Sequence, residues 1–135
     1  MIDPVPTNSP IAVVLIVEDE PIQRMEMLDL VHDAGFETVE AWDADHAIAI
    51  LESRTDIRVV LTDVDMPGSM NGMRLAASIR RRWPPIEIIV TTAGRRPDIE
   101  ALPARALFVP KPINPAEAIR ALQQLVSEVP PAPAA

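Results

Sequence analysis

The sequence contains no cysteine, so disulfide bonds and metal sites built on thiolates are excluded. Aromatic residues make up only 3% of the chain, which leaves few side chains to stack against a flavin ring. The apolar run at residues 11–17 has seven residues, whereas a membrane-spanning helix needs roughly 20. The 12 basic residues are outnumbered by 20 acidic ones, and the net charge of −8 argues against a nucleic-acid-binding surface.

The two ends of the chain differ in composition from its middle. Of 15 prolines in 135 residues, three lie in residues 1–10 and three in residues 129–135. We therefore expect a flexible N-terminus over 1–10, one domain over 11–128 and a linker-like Pro/Ala tail over 129–135. The acidic N-terminus lacks the basic segment that opens a signal peptide, which predicts a cytoplasmic protein.

Apolar, β-branched runs alternate along the chain with helix-like segments. The runs predict five strands, at residues 11–17, 36–42, 57–63, 86–92 and 105–109. Capping residues and apolar spacing predict four helices, at residues 21–35, 43–53, 72–83 and 114–128. This alternation predicts an α/β domain of the (βα)₅ type, with a parallel sheet covered by helices on both faces.

Two helical segments carry more specific expectations. In the first helix, apolar residues recur at three-residue steps, which predicts an inward face of Ile22, Met25, Leu28 and Val31. Between the fourth and fifth strands, proline interrupts residues 93–104, so we expect a fourth helix that is short or irregular. We also predict that this segment is mobile or unwound.

Polar side chains follow the strands at the points where the strands end. The residues at these positions are Glu18, Asp19, Glu20, Asp63, Asp65, Thr91, Thr92 and Lys111. Open parallel sheets carry their sites at the carboxyl ends of the strands, so these side chains are expected to share one shallow cleft.

Crowded carboxylates in a cleft repel one another, and a hard divalent cation relieves that repulsion. Oxygen ligands without histidine or cysteine favour Mg²⁺, which also accepts phosphate oxygens as ligands. A lysine opposite the metal supplies a second positive charge for the same phosphate. The central carboxylate can then act as a nucleophile and form an aspartyl phosphate, with positioning and charge neutralisation carrying the catalysis.

Each residue also has a plainer interpretation when it is taken alone. Glu18 and Asp19 fit solvent-facing acids at a helix start, where negative charge is favoured. The pair in residues 63–65 fits a turn, Thr92 fits an ordinary strand position and Lys111 fits a surface lysine. Their joint placement at four strand ends is what favours a functional site.

Five motifs together resemble the receiver domain of two-component response regulators. They are VLIVEDE (14–20), LTDVDMPG (61–68), NG (71–72), IIVTTAG (88–94) and FVPKP (108–112). The resemblance covers roughly residues 11–128 and implies a flavodoxin-like, doubly wound sheet with strand order 2-1-3-4-5. It also implies a phosphoacceptor domain that switches a protein-interaction surface, not a turnover enzyme.

By that resemblance, Asp63 is the phosphoacceptor. Glu18 and Asp19 match the acidic pair that holds Mg²⁺ together with Asp63. Asp65 matches the position whose backbone carbonyl joins the metal.

The resemblance also implies the switch residues. Thr92 matches the switch hydroxyl, Phe108 the switch aromatic and Lys111 the phosphate-binding lysine. Pro112 is the candidate for a cis peptide bond. Phosphorylation is expected to draw Thr92 inward and let Phe108 follow, which would reshape the face of the fourth and fifth strands and the last helix.

The sequence departs from the family pattern at two further places. Glu18 stands where aspartate is more usual, and we expect its longer side chain to reach the metal through water. The loop at 66–72 is one residue longer than the commonest form, so we expect it to project differently.

Three other functions compete with this interpretation. Haloacid-dehalogenase-type phosphatases also use a DxD strand end, but there the DxD strand comes first in the chain, whereas here the acidic pair precedes it. A flavodoxin-like flavin binder would need Ser/Thr/Gly-rich loops and aromatics. A receiver-like scaffold that is never phosphorylated stays open, although the site is complete.

The expected partner is a sensor histidine kinase or a histidine phosphotransfer protein. No nucleic acid or membrane partner is expected, and a homodimer stays open. The domain is expected to act alone or as part of a larger protein such as a hybrid kinase.

Overall fold

The computed structural model describes residues 11–66, 71–94 and 99–127. The five strands are β1 (Val13–Val17), β2 (Glu37–Ala41), β3 (Ile57–Asp63), β4 (Glu87–Thr92) and β5 (Leu107–Pro110). The four helices are α1 (Pro21–Asp33), α2 (Ala44–Ser53), α3 (Gly72–Arg82) and α4 (Pro115–Ser127). All strand pairs are parallel, in the order β2-β1-β3-β4-β5, which confirms the predicted doubly wound fold.

Polar caps fix where the helices begin. The side chain of Asp43 accepts a hydrogen bond from the His46 backbone N–H at the start of α2, and Asn71 does the same for Arg74 at the start of α3. At α4, Asn114 caps and Pro115 occupies the first helical position, where its missing N–H costs nothing. These three helices therefore begin at positions that polar capping residues define.

The core consists of two apolar layers, one on each face of the sheet. Alternate strand residues such as Leu15 and Val60 point to the face covered by α2 and α3. Their neighbours, such as Ile16 and Val59, point to the face covered by α1 and α4. Because both faces are covered, the central strands are continuously apolar, as the sequence indicated.

The predicted inward face of α1 is wrong at its N-terminal half. Ile22 and Met25 are 65% and 60% exposed, whereas Met27 and Val31 are buried. A three-residue step turns the helix by about 300°, so a stripe with that spacing drifts by about 60° at every step. Met27 and Val31, four residues apart, share the face that meets the sheet.

In the described part of the connection between β4 and β5, the helical structure is a short 3₁₀ turn at Ile99–Ala101, which agrees with the predicted short or irregular helix. Its predicted mobility stays a prediction, and residues 95–98 lie outside the described ranges. Loop residues 67–70 and both predicted flexible ends also lie outside the described ranges, so the expectations for them stay predictions. Within the described residues, no helix is long and apolar enough to cross a membrane.

Candidate functional site

The strand register brings the predicted site residues to one edge of the sheet. Val17, the last residue of β1, pairs with Thr62 of β3. Asp63 pairs with Thr91 of β4, and Thr92 pairs with Pro110 of β5. The residues that follow these pairs therefore line one continuous carboxyl edge.

Three carboxylates meet at this edge. Glu18, Asp19 and Asp63 each offer an oxygen, and these oxygens all lie within 4.8 Å of one another. Glu18 is 1% exposed and Asp63 is 5% exposed, so two of the three charges are withdrawn from water. Buried like charges repel strongly, which makes this cluster a place where a cation is favoured.

Lys111 reaches into the same cluster from the end of β5. Its Nζ donates to Glu18 Oε1 at 2.9 Å, to Asp63 Oδ2 at 3.2 Å and to Gln23 Oε1 at 2.5 Å. An ammonium has three hydrogens to donate, so these contacts use all of them. The Lys111 backbone N–H donates to the Thr92 carbonyl at 3.1 Å, and the Lys111–Pro112 peptide bond is cis.

Burial and mutual contact shift the pKa values of Glu18 and Lys111. Burial raises the pKa of the Glu18 carboxyl, and the charge of Asp63 adds to that rise, while hydrogen bonds from Lys111 and the Glu20 N–H oppose it. Burial alone would lower the pKa of Lys111, but its hydrogen bond to Glu18 and the charges of Asp63 and Glu18 outweigh this, so the pKa is raised. Lys111 is therefore held in its charged form.

Asp65 and Thr92 form a second, adjoining contact. The Thr92 hydroxyl donates to Asp65 Oδ2 at 2.5 Å and accepts from the Gly94 N–H at 3.0 Å. The Asp65 N–H in turn donates to Asp63 Oδ1 at 3.1 Å. The Thr92 hydroxyl is thus bonded to Asp65 and not to the carboxylate of Asp63.

Phe108 lies on β5 beside Val90 of β4 and is half-buried. A hollow of about 360 Å³ lies beside the carboxyl ends of β4 and β5, and Thr92, Phe108 and Lys111 all line it. The predicted switch residues therefore line one common hollow.

Two residues of the site had no assigned role in the sequence analysis. Gly72 opens α3 against the backbone of Asp63, where a Cβ would lie 2.0 Å from the Asp63 carbonyl oxygen. The Asn-Gly dipeptide was the available signal, although nothing in it specifies that contact. Gln23 contacts Lys111 from α1, and no sequence pattern points to it.

The residues present suit a magnesium ion. Three carboxylates face a single ammonium, which leaves surplus negative charge in the cluster. The available ligands are hard oxygens, the type that Mg²⁺ prefers in proteins.

A family model for the response regulator receiver domain matches residues 14–123. The chain belongs to this family. As a receiver domain it is a signalling module of two-component systems, and phosphorylation and Mg²⁺ are general features of such modules. The family resemblance predicted from the five motifs is confirmed.

Curated relatives match most of the receiver domain. It is 32% identical over 124 residues to the two-component response regulator PprB of Pseudomonas aeruginosa, an alignment that covers 86% of this chain and 44% of PprB. It is 30% identical over 118 residues to the aerobic respiration control protein ArcA of Escherichia coli, covering 84% and 48%. The chain therefore spans about half the length of these relatives.

Solved structures agree on the fold. The response regulator TrrA of Thermotoga maritima, solved in complex with Mg²⁺-BeF, is 27% identical, with a TM-score of 0.76 and coverage of 85% of this chain and 99% of that one. The chemotaxis protein CheY4 of Vibrio cholerae is also 27% identical, with a TM-score of 0.76 and coverage of 86% and 99%. The receiver domain thus aligns with nearly the whole of both chains.

Proposed function

We propose that this receiver domain accepts a phosphoryl group on Asp63. The observation that supports this best is the position of the Asp63 carboxylate, which ends a buried strand within 3.2 Å of the Lys111 ammonium and among two further carboxylates. A carboxylate so placed has a cationic neighbour for an incoming phosphate and acidic neighbours for a metal ion.

Glu18, Asp19 and Asp63 would hold Mg²⁺, with the backbone carbonyl of Asp65 as a further ligand. When bound, Mg²⁺ supplies charge neutralisation for the phosphate oxygens. Support comes from the surplus negative charge of the cluster and from the TrrA relative, which was solved with Mg²⁺-BeF.

The chain's own residues then carry the transfer. A carboxylate oxygen of Asp63 attacks the phosphorus of the donor, a new O–P bond forms, and the bond from phosphorus to the donor's nitrogen or oxygen breaks and leaves its electron pair on the donor. Lys111 exchanges its bond to Asp63 for one to a phosphoryl oxygen. Its fixed charge offsets the charge that the phosphoryl group brings.

The proposed switch starts from the hydrogen bond between Thr92 and Asp65. For Thr92 to bond the phosphoryl group, its hydroxyl must leave Asp65 Oδ2. That movement would change the shape of the hollow that Thr92 and Phe108 line. Phosphorylation would thereby bias the position of the Phe108 ring and of the surface around it.

The proposed donor is a sensor histidine kinase or a histidine phosphotransfer protein. A segment of the sensor histidine kinase RcsC of Escherichia coli is 36% identical over 81 residues, covering 60% of this chain and 8% of RcsC. The acceptor would take one phosphoryl group per cycle and release it slowly by itself, without turnover of a substrate. A cytoplasmic location and a homodimer stay predictions.

The test is intact-mass measurement after incubation with acetyl phosphate, with and without Mg²⁺. We expect addition of one phosphoryl group that requires Mg²⁺, is lost in Asp63→Asn and is retained in Asp65→Asn, because Asp65 is proposed to act through its backbone carbonyl. A folded wild-type protein that gains nothing would contradict the proposal and favour an unphosphorylated scaffold. Continuous release of phosphate over many turnovers would favour a phosphatase.

A further inference from the structure

The side chain of Gln23 has no role in the chemistry described so far. It lies in the first turn of α1 and is exposed, yet its Oε1 accepts a hydrogen bond from Lys111 Nζ. The two residues are 88 positions apart in the sequence. This contact joins α1 to the phosphate-binding lysine.

The local structure of α1 explains why the Gln23 oxygen can serve Lys111. Glu20 caps the helix, and its Oε1 accepts from the Gln23 N–H at 2.9 Å. A glutamine at this third helical position commonly reaches back to the N–H of the capping residue. Here the Glu20 N–H donates instead to Glu18 Oε2 at 3.1 Å, so the glutamine carbonyl has a different donor to bind.

Gln23 differs from the other two acceptors of Lys111 because it is neutral. Glu18 and Asp63 attract the ammonium, but both also belong to the carboxylate cluster that a metal ion would occupy. The bond to Gln23 holds the lysine without adding a charge that competes for the metal. A lysine stem is long and flexible, and so a third fixed acceptor reduces the range of positions that the ammonium samples.

We propose that Gln23 is a positioning residue for Lys111, holding the ammonium where it meets a phosphoryl group on Asp63. When that group arrives, the hydrogen that pointed at Asp63 turns to a phosphoryl oxygen, while the bonds to Gln23 and Glu18 stay in place. Such preorganisation speeds transfer because the lysine needs no further ordering at the moment of reaction. The inference rests on the proposed function of Asp63.

The experiment compares initial rates of phosphorylation by acetyl phosphate in wild type, Gln23→Leu and Gln23→Glu at saturating Mg²⁺. Leucine keeps the helix but accepts no hydrogen bond, so we expect the rate to fall about fivefold. Glutamate keeps an oxygen at the same chain length, so its rate should stay within about twofold of wild type. The Mg²⁺ concentration for half-maximal rate should move less than about twofold in Gln23→Leu, because Gln23 is not among the carboxylates of the cluster.

Gln124→Leu, the same change at an exposed position of α4, is the matched control and should leave the rate unaltered. If wild type is phosphorylated and Gln23→Leu keeps its rate, the inference is overturned while the proposed function stands. An equal loss in Gln23→Leu and Gln124→Leu, or no rescue by Gln23→Glu, also overturns it. If wild type itself gains no phosphoryl group, the proposed function fails, and the role of Gln23 falls with it.

Discussion

The two ends of β4 carry charged clusters of opposite character. At its amino end, the guanidinium groups of Arg80 and Arg105 lie beside one carboxylate, that of Glu87, at 3.8 Å and 3.4 Å. At its carboxyl end, three carboxylates surround one ammonium. One end therefore has surplus positive charge and the other surplus negative charge.

At the amino end, backbone carbonyl groups accept hydrogen bonds from the surplus positive charge. Arg80 donates to the carbonyls of Ala104, Pro84 and Ile86 at 2.9, 2.8 and 2.7 Å. Burial lowers the pKa of Arg80, and the nearby charge of Arg105 adds to that effect. Backbone carbonyl groups cannot exchange for other partners, so the bonds of Arg80 Nε and Nη1 are fixed, while its buried Nη2 lies near Glu87 without a hydrogen bond.

The carboxyl end bonds its charges through side chains that have other potential partners. Lys111 can turn from Asp63 to a phosphate, and Thr92 can leave Asp65. Charge burial by itself therefore does not identify a functional site. What distinguishes the carboxyl end is surplus charge without fixed groups to neutralise it.

The largest loss of stability is expected at the carboxyl end, where the start of α3 packs against the backbone of Asp63. Gly72→Ala would place a Cβ 2.0 Å from the Asp63 carbonyl oxygen, so helix and strand must separate. We expect a loss of about 3 kcal/mol in the free energy of unfolding, measured by urea denaturation. Gly94→Ala is the control, since its Cβ would meet nothing closer than 3.6 Å, and an equal loss there would refute the packing argument.

A substitution in the amino-end cluster should lower the free energy of unfolding without changing the rate of phosphorylation. Arg80→Met keeps most of the stem but leaves the carbonyls it bonds without that donor, so we expect a loss of about 2 kcal/mol in unfolding free energy. The rate of phosphorylation at Asp63 should stay unchanged below the melting temperature. A clear fall in that rate would show that the two clusters are coupled.

Mg²⁺ bound at the carboxyl end should stabilise the folded domain. At free Mg²⁺ ten times its dissociation constant, we expect about 1.4 kcal/mol of added stability, reversed by a chelator. Thermal unfolding with and without the ion measures this. Arg105→Gly changes the amino-end cluster at a position whose φ of 67° suits glycine, and it should keep the full stabilisation by Mg²⁺. A loss of that stabilisation in the variant would indicate that the ion does not bind at the carboxyl end.

The ionisation of Glu18 gives a subtler test in metal-free buffer. Because burial raises its pKa, the folded protein binds this proton more tightly than the unfolded chain does. Ionisation therefore costs stability as the pH rises above 4.5, and the cost is complete above the raised pKa. We expect Glu18→Gln to be more stable than wild type at pH 7, with the gap closing as the pH falls toward 4.5. A gap that widens on acidification would contradict this sign.

The sequence predicted the sheet, and the meeting of acidic and basic side chains at its carboxyl edge, because both follow from local patterns. Apolar runs such as the one ending at Val17 mark the strands, and parallel topology then collects their ends, including Asp63 and Lys111. It did not predict the contact of Gln23 with Lys111 or the bond of Thr92 to Asp65. Those contacts depend on how packed elements orient side chains that are far apart in sequence.

The most direct test locates the phosphoryl group itself. Borohydride reduces an acyl phosphate to an alcohol, so treatment of the phosphorylated protein would leave a mass change on the residue that carried the group, which peptide mapping can locate. We predict that this change falls on Asp63 alone. A change on Asp19 or Asp65, or none on a protein that has gained a phosphoryl group, would contradict the assignment.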